Sequence, residues 1–169
     1  MVFERLLMGK YPAFTVRSYP AFRPAREFRV FVSPDALYFI RMSGLVSASD
    51  AGSGLSLHAQ ERAVASVIRW FASKSQSKEL DQIESADPAE LVLSGKHHFQ
   101  VSPSEVVESR IDPPSLFGGQ RPAFGRWRLS QEGRKPVTYE IESAESLETA
   151  LQHLPLLLKD KLKVNIGKQ

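Results

Sequence analysis

Apolar residues recur along this chain with two periods, and the period of two comes first. In Glu27-Phe-Arg-Val-Phe-Val-Ser33, Phe28, Val30 and Val32 share one face and Phe31 adds apolar surface to the other. Ala36-Leu-Tyr-Phe-Ile-Arg-Met42 has the same aromatic and β-branched character. Ser33-Pro34-Asp35-Ala36 lies between them with turn chemistry, since proline presets the backbone at the second turn position. The pattern predicts an antiparallel hairpin over 27–42, buried largely on both faces. A second hairpin is predicted over 124–142. There Trp127 and Leu129 alternate with Arg126, Arg128 and Ser130, and Val137, Tyr139 and Ile141 alternate with Thr138, Glu140 and Glu142. One face is apolar and the other wet. Gly133, in the intervening turn, supplies a left-handed residue. Shorter strands are predicted at His98–Val101, at Glu105–Ile111 and at Phe14–Tyr19. Pro12, Pro20 and Pro24 around the last of these suggest a sheet edge.

Helical signals appear four times. Val64, Val67, Ile68 and Phe71 predict an amphipathic helix over about residues 59–73. Ser77 can cap a shorter one carrying Leu80 and Ile83. Asp87-Pro88-Ala89-Glu90 is a start signal, with Asp at the cap and proline at the first helical position, and Gly95 is the stop. Residues 58–95 therefore read as a helical block between strands. The last helix is the clearest. Ser143 can cap it, and Leu147, Ala150, Leu151, Leu154 and Leu158 form its stripe, with Pro155 expected to kink or loosen it. Val164-Asn-Ile166 is expected as a closing strand. Small, polar residues 44–54 and the segment 117–122 read as loops.

Composition narrows the class. The chain has 169 residues, 42% of them hydrophobic and 24% charged, which suits one globular domain, 1–169. It has no cysteine, so disulfides, thiol catalysis and cysteine-ligated metals are excluded, and a cytoplasmic location is expected. The apolar run in residues 1–10 is short and broken by Glu4 and Arg5, unlike a secretory signal. No apolar stretch approaches the roughly 20 residues of a transmembrane segment. Residues 1–46 carry a net charge of +4 and residues 76–115 carry −5. These are ordinary solvated faces, and the field they create names no partner.

The fold class that follows is α+β: an antiparallel, strongly bent sheet capped by a C-terminal amphipathic helix. This order of elements resembles the pleckstrin-homology-like domain. The resemblance covers residues 27–160 and rests on the hairpin 27–42, the run Phe99–Ile111, the hairpin 124–142 and the helix from Ser143. The wording Arg110-Ile-Asp-Pro-Pro-Ser115 followed by Gly125-Arg-Trp-Arg-Leu129 is similar to uncharacterised bacterial proteins of this type. The resemblance implies a PH-like partial barrel plugged by the terminal helix, with the block at 58–95 as an insertion between the hairpin 27–42 and the strand at 98–101.

No motif carries catalysis. Gly52-Ser-Gly54 is not a nucleophile elbow, and phosphate loops, dinucleotide fingerprints and His-Glu-x-x-His are absent. His97 and His98 would point to opposite faces of a strand and cannot easily share an ion, so they read as structural; no metal or cofactor is expected. Glu140 and Glu142 are explained by cross-strand pairing with Arg126 and Arg128. Tyr11, Phe14, Arg17, Tyr19, Phe22, Arg23 and Arg26 interleave bases with aromatics, a mix that can bind single-stranded nucleic acid but that also fits a half-buried strand. The resemblance raises phosphoinositide binding. The relevant loop is Ser33-Pro34-Asp35, short and acidic with only Arg29 and Arg41 nearby, so headgroup recognition is not expected. The leading expectation is a non-enzymatic interaction module that binds a protein or peptide, through an open sheet edge or the groove beside the terminal helix. The alternative is an enzyme whose site converges from distant residues such as His58, His97 and Glu105. Homo-oligomerisation stays open.

Overall fold

The structure, a computed structural model, describes residues 11–21, 23–42, 77–114 and 123–166. In chain order the strands are β1 (Ala13–Ser18), β2 (Arg26–Val32), β3 (Leu37–Arg41), β4 (Phe99–Val101), β5 (Val106–Asp112), β6 (Gly125–Gln131), β7 (Val137–Ile141) and β8 (Leu162–Val164). Helical residues 77–85 (α1) and the helix Pro88–Ser94 (α2) stand between β3 and β4, and Ala144–Leu158 (α3) precedes β8. The strands form a single sheet in the order β4-β3-β2-β1-β7-β6-β5-β8, antiparallel throughout except for β5 with β8. This is an α+β fold built on a curled half-barrel.

Side-chain stacking shows how tight the curl is. Neighbouring strands lie about 4.8 Å apart, so β3 and β6, four places apart in order, would be separated by about 19 Å in a flat sheet. Instead the rings of Phe39 on β3 and Trp127 on β6 stack with centroids 5.8 Å apart. Phe99 stacks on Phe39 at 4.5 Å, and Phe14 meets Trp127 edge-on at 5.4 Å. Each such pair contributes about 0.5–1.5 kcal/mol beyond its area. The indole N–H of the wholly buried Trp127 donates to Ser109 Oγ at 2.8 Å, which satisfies the one polar atom this ring brings inside.

A half-barrel has an open mouth, and α3 closes it. Ala150, Leu154, Leu157 and Leu158 are buried in the aromatic core, with Leu147 and Leu151 packed against it. Ser143 caps the helix by accepting from Ser146 N at 3.0 Å, and Ser146 Oγ in turn accepts from Thr15 N at 3.1 Å. The cap thus ties the helix to β1. Pro155 lies inside a helix that runs on to Leu158. Its missing N–H leaves the Leu151 carbonyl without its helical donor, while the Pro155 carbonyl accepts from the backbone N–H of Lys159 at the helix end.

The hairpin β2–β3 is buried on both faces, as its pattern predicts. Phe28, Val30, Val32, Leu37 and Phe39 face the main core. Phe31, Tyr38, Ile40 and Met42 face outward into a second cluster with Ile83, Leu80, Leu91 and Val92 of α1 and α2. Asp87 caps α2 by accepting from Ala89 N at 3.0 Å, with Pro88 in the first turn and Gly95 at the end. Gly133 has φ +68° in the second hairpin turn. The helix expected over 59–73 and the loops 44–54 and 117–122 lie outside the described residues.

Three expectations are corrected. The strand at 14–19 is central: β1 pairs with β2 on one side and β7 on the other. Pro12 and Pro20 sit beyond its ends, and the Pro12 carbonyl still accepts from Val32 N at 2.9 Å, so neither removes a ladder donor. The closing strand begins at Leu162, earlier than the pattern suggests, and runs parallel to β5 because α3 returns the chain in that direction. Val137 is exposed: it is the first residue of β7, at the turn end of its hairpin.

Leu154→Ala is expected to lower unfolding free energy by about 2–5 kcal/mol, because it opens a cavity where α3 meets the rings. Denaturant unfolding checks this, and a loss below 1 kcal/mol would place Leu154 outside the core. Lys159, just after α3, has φ +50°, a region where a side chain is strained. Lys159→Gly is expected to stabilise the fold by about 1 kcal/mol, and an unchanged or lower urea midpoint would contradict that strain.

Candidate functional site

Alternation along β1 and β2 that sends Phe14, Val16, Phe28 and Val30 inward sends Thr15, Arg17, Glu27 and Arg29 outward. The apolar helical cover packs over the rest of the hairpin, so these polar residues lie at its border. There the outer face of β1–β2, the edge of α1 and the first turn of α3 enclose a groove of about 450 Å³. Thr15 and Arg29 line it from the sheet, Met42 and Leu80 form an apolar side, and Ser143 and Ser146 lie at the helix start. Four carboxylates, Glu27, Glu84, Glu142 and Glu145, line the same groove.

The charges within it are ordered. Arg29 donates through Nη1 to Thr15 Oγ1 at 3.0 Å and through Nη2 to Glu84 Oε1 at 2.8 Å, which fixes α1 to the sheet. Arg17 bridges Glu27, at 3.5 Å, and Glu142. Burial disfavours the charge on Arg17, but a hydrogen bond with Tyr19 and the charges of Glu142 and Glu27 outweigh it and raise its pKa. Among the described residues, Arg17 and Arg29 pair with Glu27, Glu84 and Glu142, and Glu145, in the first turn of α3, is exposed to solvent. The exposed carboxylate of Glu145 places negative charge at the rim of the groove.

The residues singled out from sequence are dispersed. Glu142 turns away from Arg126 and Arg128 to pair with Arg17, because β7 hydrogen-bonds β1 on its other side. Glu140 stands opposite Arg126, as expected. Glu105 is used locally, its carboxylate accepting from Ser102 N at 2.8 Å, and His58 lies outside the described residues. Of the aromatic and basic mix near the start, Phe14 is wholly buried and Arg17 is ion-paired, while Tyr19 is exposed. In the turn after β2, Ser33 Oγ accepts from Ala36 N at 3.1 Å and pairs with Asp35. Arg29, one of the two bases near that turn, is held by Thr15 and Glu84. Among the described residues, no cluster of three or more His, Asp or Glu could hold a metal, and no helix is long and apolar enough to cross a membrane. The sequence points to a groove beside the terminal helix but does not assemble its lining, since the walls come from β1, β2, α1 and the start of α3.

His98 has a structural task. Its Nδ1 accepts the backbone N–H of Arg41 at 2.9 Å, which extends the β3–β4 ladder by one side-chain bond. Its ring lies so close to Gly95 that a Cβ there would stand 2.0 Å from Cδ2. Burial, and then the charge of His97, lower its pKa below the ordinary 6.5. The folded chain thus favours neutral imidazole, so the contribution is full above about pH 6.5 and is lost as pH falls through the lower folded value. Stability is expected to decline as pH falls from 7 toward 5. His98→Asn, whose Oδ1 replaces Nδ1 as acceptor, should flatten that decline. Identical pH profiles for the two proteins in thermal unfolding would contradict the assignment.

Comparison of the chain with protein-family models, with curated proteins and with solved structures finds no match.

Proposed function

We propose that this chain is a non-enzymatic interaction module, built on a pleckstrin-homology-like half-barrel, that receives a basic segment of a partner protein in the groove beside the start of α3. The observation that carries the reading is the groove itself, about 450 Å³ with four carboxylates on its walls. An arginine or lysine entering it meets negative charge at the rim, at Glu145, and apolar surface for its stem at Met42 and Leu80. The PH-like assignment is supported by the strand order, a curled sheet whose two antiparallel halves meet at the β1–β7 pair and whose mouth is closed by the terminal helix. The absence of cysteine suits a reducing, cytoplasmic setting.

Fluorescence anisotropy with labelled peptides of matched length tests this. Peptides bearing adjacent Arg or Lys residues are expected to bind saturably and more weakly as salt rises, while acidic and neutral peptides do not. Glu145→Lys is expected to weaken binding of the basic peptides by about tenfold, through reversed charge at the rim. Equal binding of basic and acidic peptides, or no saturable binding in the panel, would overturn the reading.

A further inference from the structure

A second arrangement of charges lies on the outer face of β5, β6 and β8, and the sheet register creates it. Arg128 on β6 stands directly opposite Arg110 on β5, and Arg110 stands beside Lys163 on β8. Three cations thus occupy one rung of three adjacent strands. Like charges directly opposite one another destabilise a sheet, so the rung needs negative charge nearby.

Two of the three have it. Arg110 Nε donates to Asp112 Oδ2 at 2.8 Å, and Lys163 Nζ lies 3.3 Å from Glu108 Oε1. Burial pushes the Asp112 carboxyl up, but hydrogen bonds from Asn165 and Arg110 and the charges of Arg110 and Arg126 bring it below the usual range, so it stays ionised and holds Arg110 in place. The guanidinium of Arg128 has no hydrogen bond or ion pair among the described residues. It faces a hollow of about 150 Å³ lined by Arg110, Arg128, Glu108 and Ser130.

We propose that this hollow is a binding site for a tetrahedral oxyanion, a phosphate group supplied either as free inorganic phosphate or as a phosphate monoester. Arg128 offers an unused planar fork that meets two oxygens of such a group. Arg110 uses Nε for Asp112, which leaves its terminal nitrogens for a third oxygen, and the Ser130 hydroxyl lines the same space. Glu108 is the one repulsive wall, and Lys163 offsets its charge. A carboxylate, with two oxygens, meets only part of this set. The site is separate from the acidic groove beside α3 and stands or falls independently of it.

Titration of the full chain, followed by NMR of backbone amides and arginine side chains at constant ionic strength, tests the proposal. The probes are inorganic phosphate, phosphoserine, serine and acetate. Phosphate and phosphoserine are expected to give saturable shifts confined to β5, β6 and the Arg110 and Arg128 side chains, with acetate weaker and serine without effect. Tighter binding of phosphoserine identifies a monoester as the source, and tighter binding of phosphate identifies the free anion. Arg128→Gln, on an exposed residue that leaves the core intact, is expected to weaken binding about tenfold. Glu108→Gln should tighten it several-fold, an outcome that a merely structural role for the rung would not produce. Shifts that do not saturate, that spread over the whole surface, or that persist unchanged in Arg128→Gln would overturn the proposal.

Discussion

Contact between Phe39 and Trp127 is the constraint from which the architecture follows. Two rings on strands four places apart can stack only if the intervening sheet rolls through much of a barrel. Phe14, Phe28, Phe99 and Tyr139 fill the remaining volume inside the roll. Burial raises the pKa of Tyr139, which keeps its phenol neutral and compatible with the apolar core. A sheet rolled this far but left open has a mouth of exposed aromatic edges. The leucines of α3 are what cover it, and β8, after the helix, pairs with the last strand.

The outer face inherits its chemistry from that roll. Once one set of alternating side chains is spent on the interior, the other must face water or find a separate cover. Over β2 and β3 that set is apolar, with Phe31, Tyr38 and Ile40, and the helical segments between β3 and β4 supply the cover. Over β1 the set is Thr15 and Arg17, and over β5 and β6 it includes Glu108, Arg110 and Arg128, which remain at the surface. The acidic groove forms where the covered part stops. Its position beside the start of α3 is therefore a consequence of where the apolar face of the hairpin ends, with Arg29 and Glu84 joining the two parts at 2.8 Å.

Much of this was legible in the residues. Alternation placed both hairpins, the Asp87-Pro88 pair placed the start of α2, and the stripe from Leu147 to Leu158 placed the helix that seals the barrel. These are local patterns, each set by neighbours within one or two turns or one hairpin. Pairing order was not legible. The central place of β1 depends on β7, more than 120 residues on, and the prolines around it pointed toward an edge. The parallel course of β8 likewise depends on how α3 docks. Site residues were harder still. Thr15, Arg29, Glu84 and Glu145 have no spacing in common, and only folding puts them on one groove. Arg128 could be read as a wet-face residue, but its stand opposite Arg110 comes from strand register, which no pattern within either strand encodes.

If the helix seals the rolled sheet, the two must open together. Native-state hydrogen exchange measures this directly, because amides in one cooperative unit share one opening free energy. The account predicts that amides of Ala150, Leu154 and Leu158 exchange only with the global opening that releases Phe39 and Trp127. Exchange of α3 at a much lower free energy, while β3 and β6 stay protected, would show that the rolled sheet holds its shape without its lid.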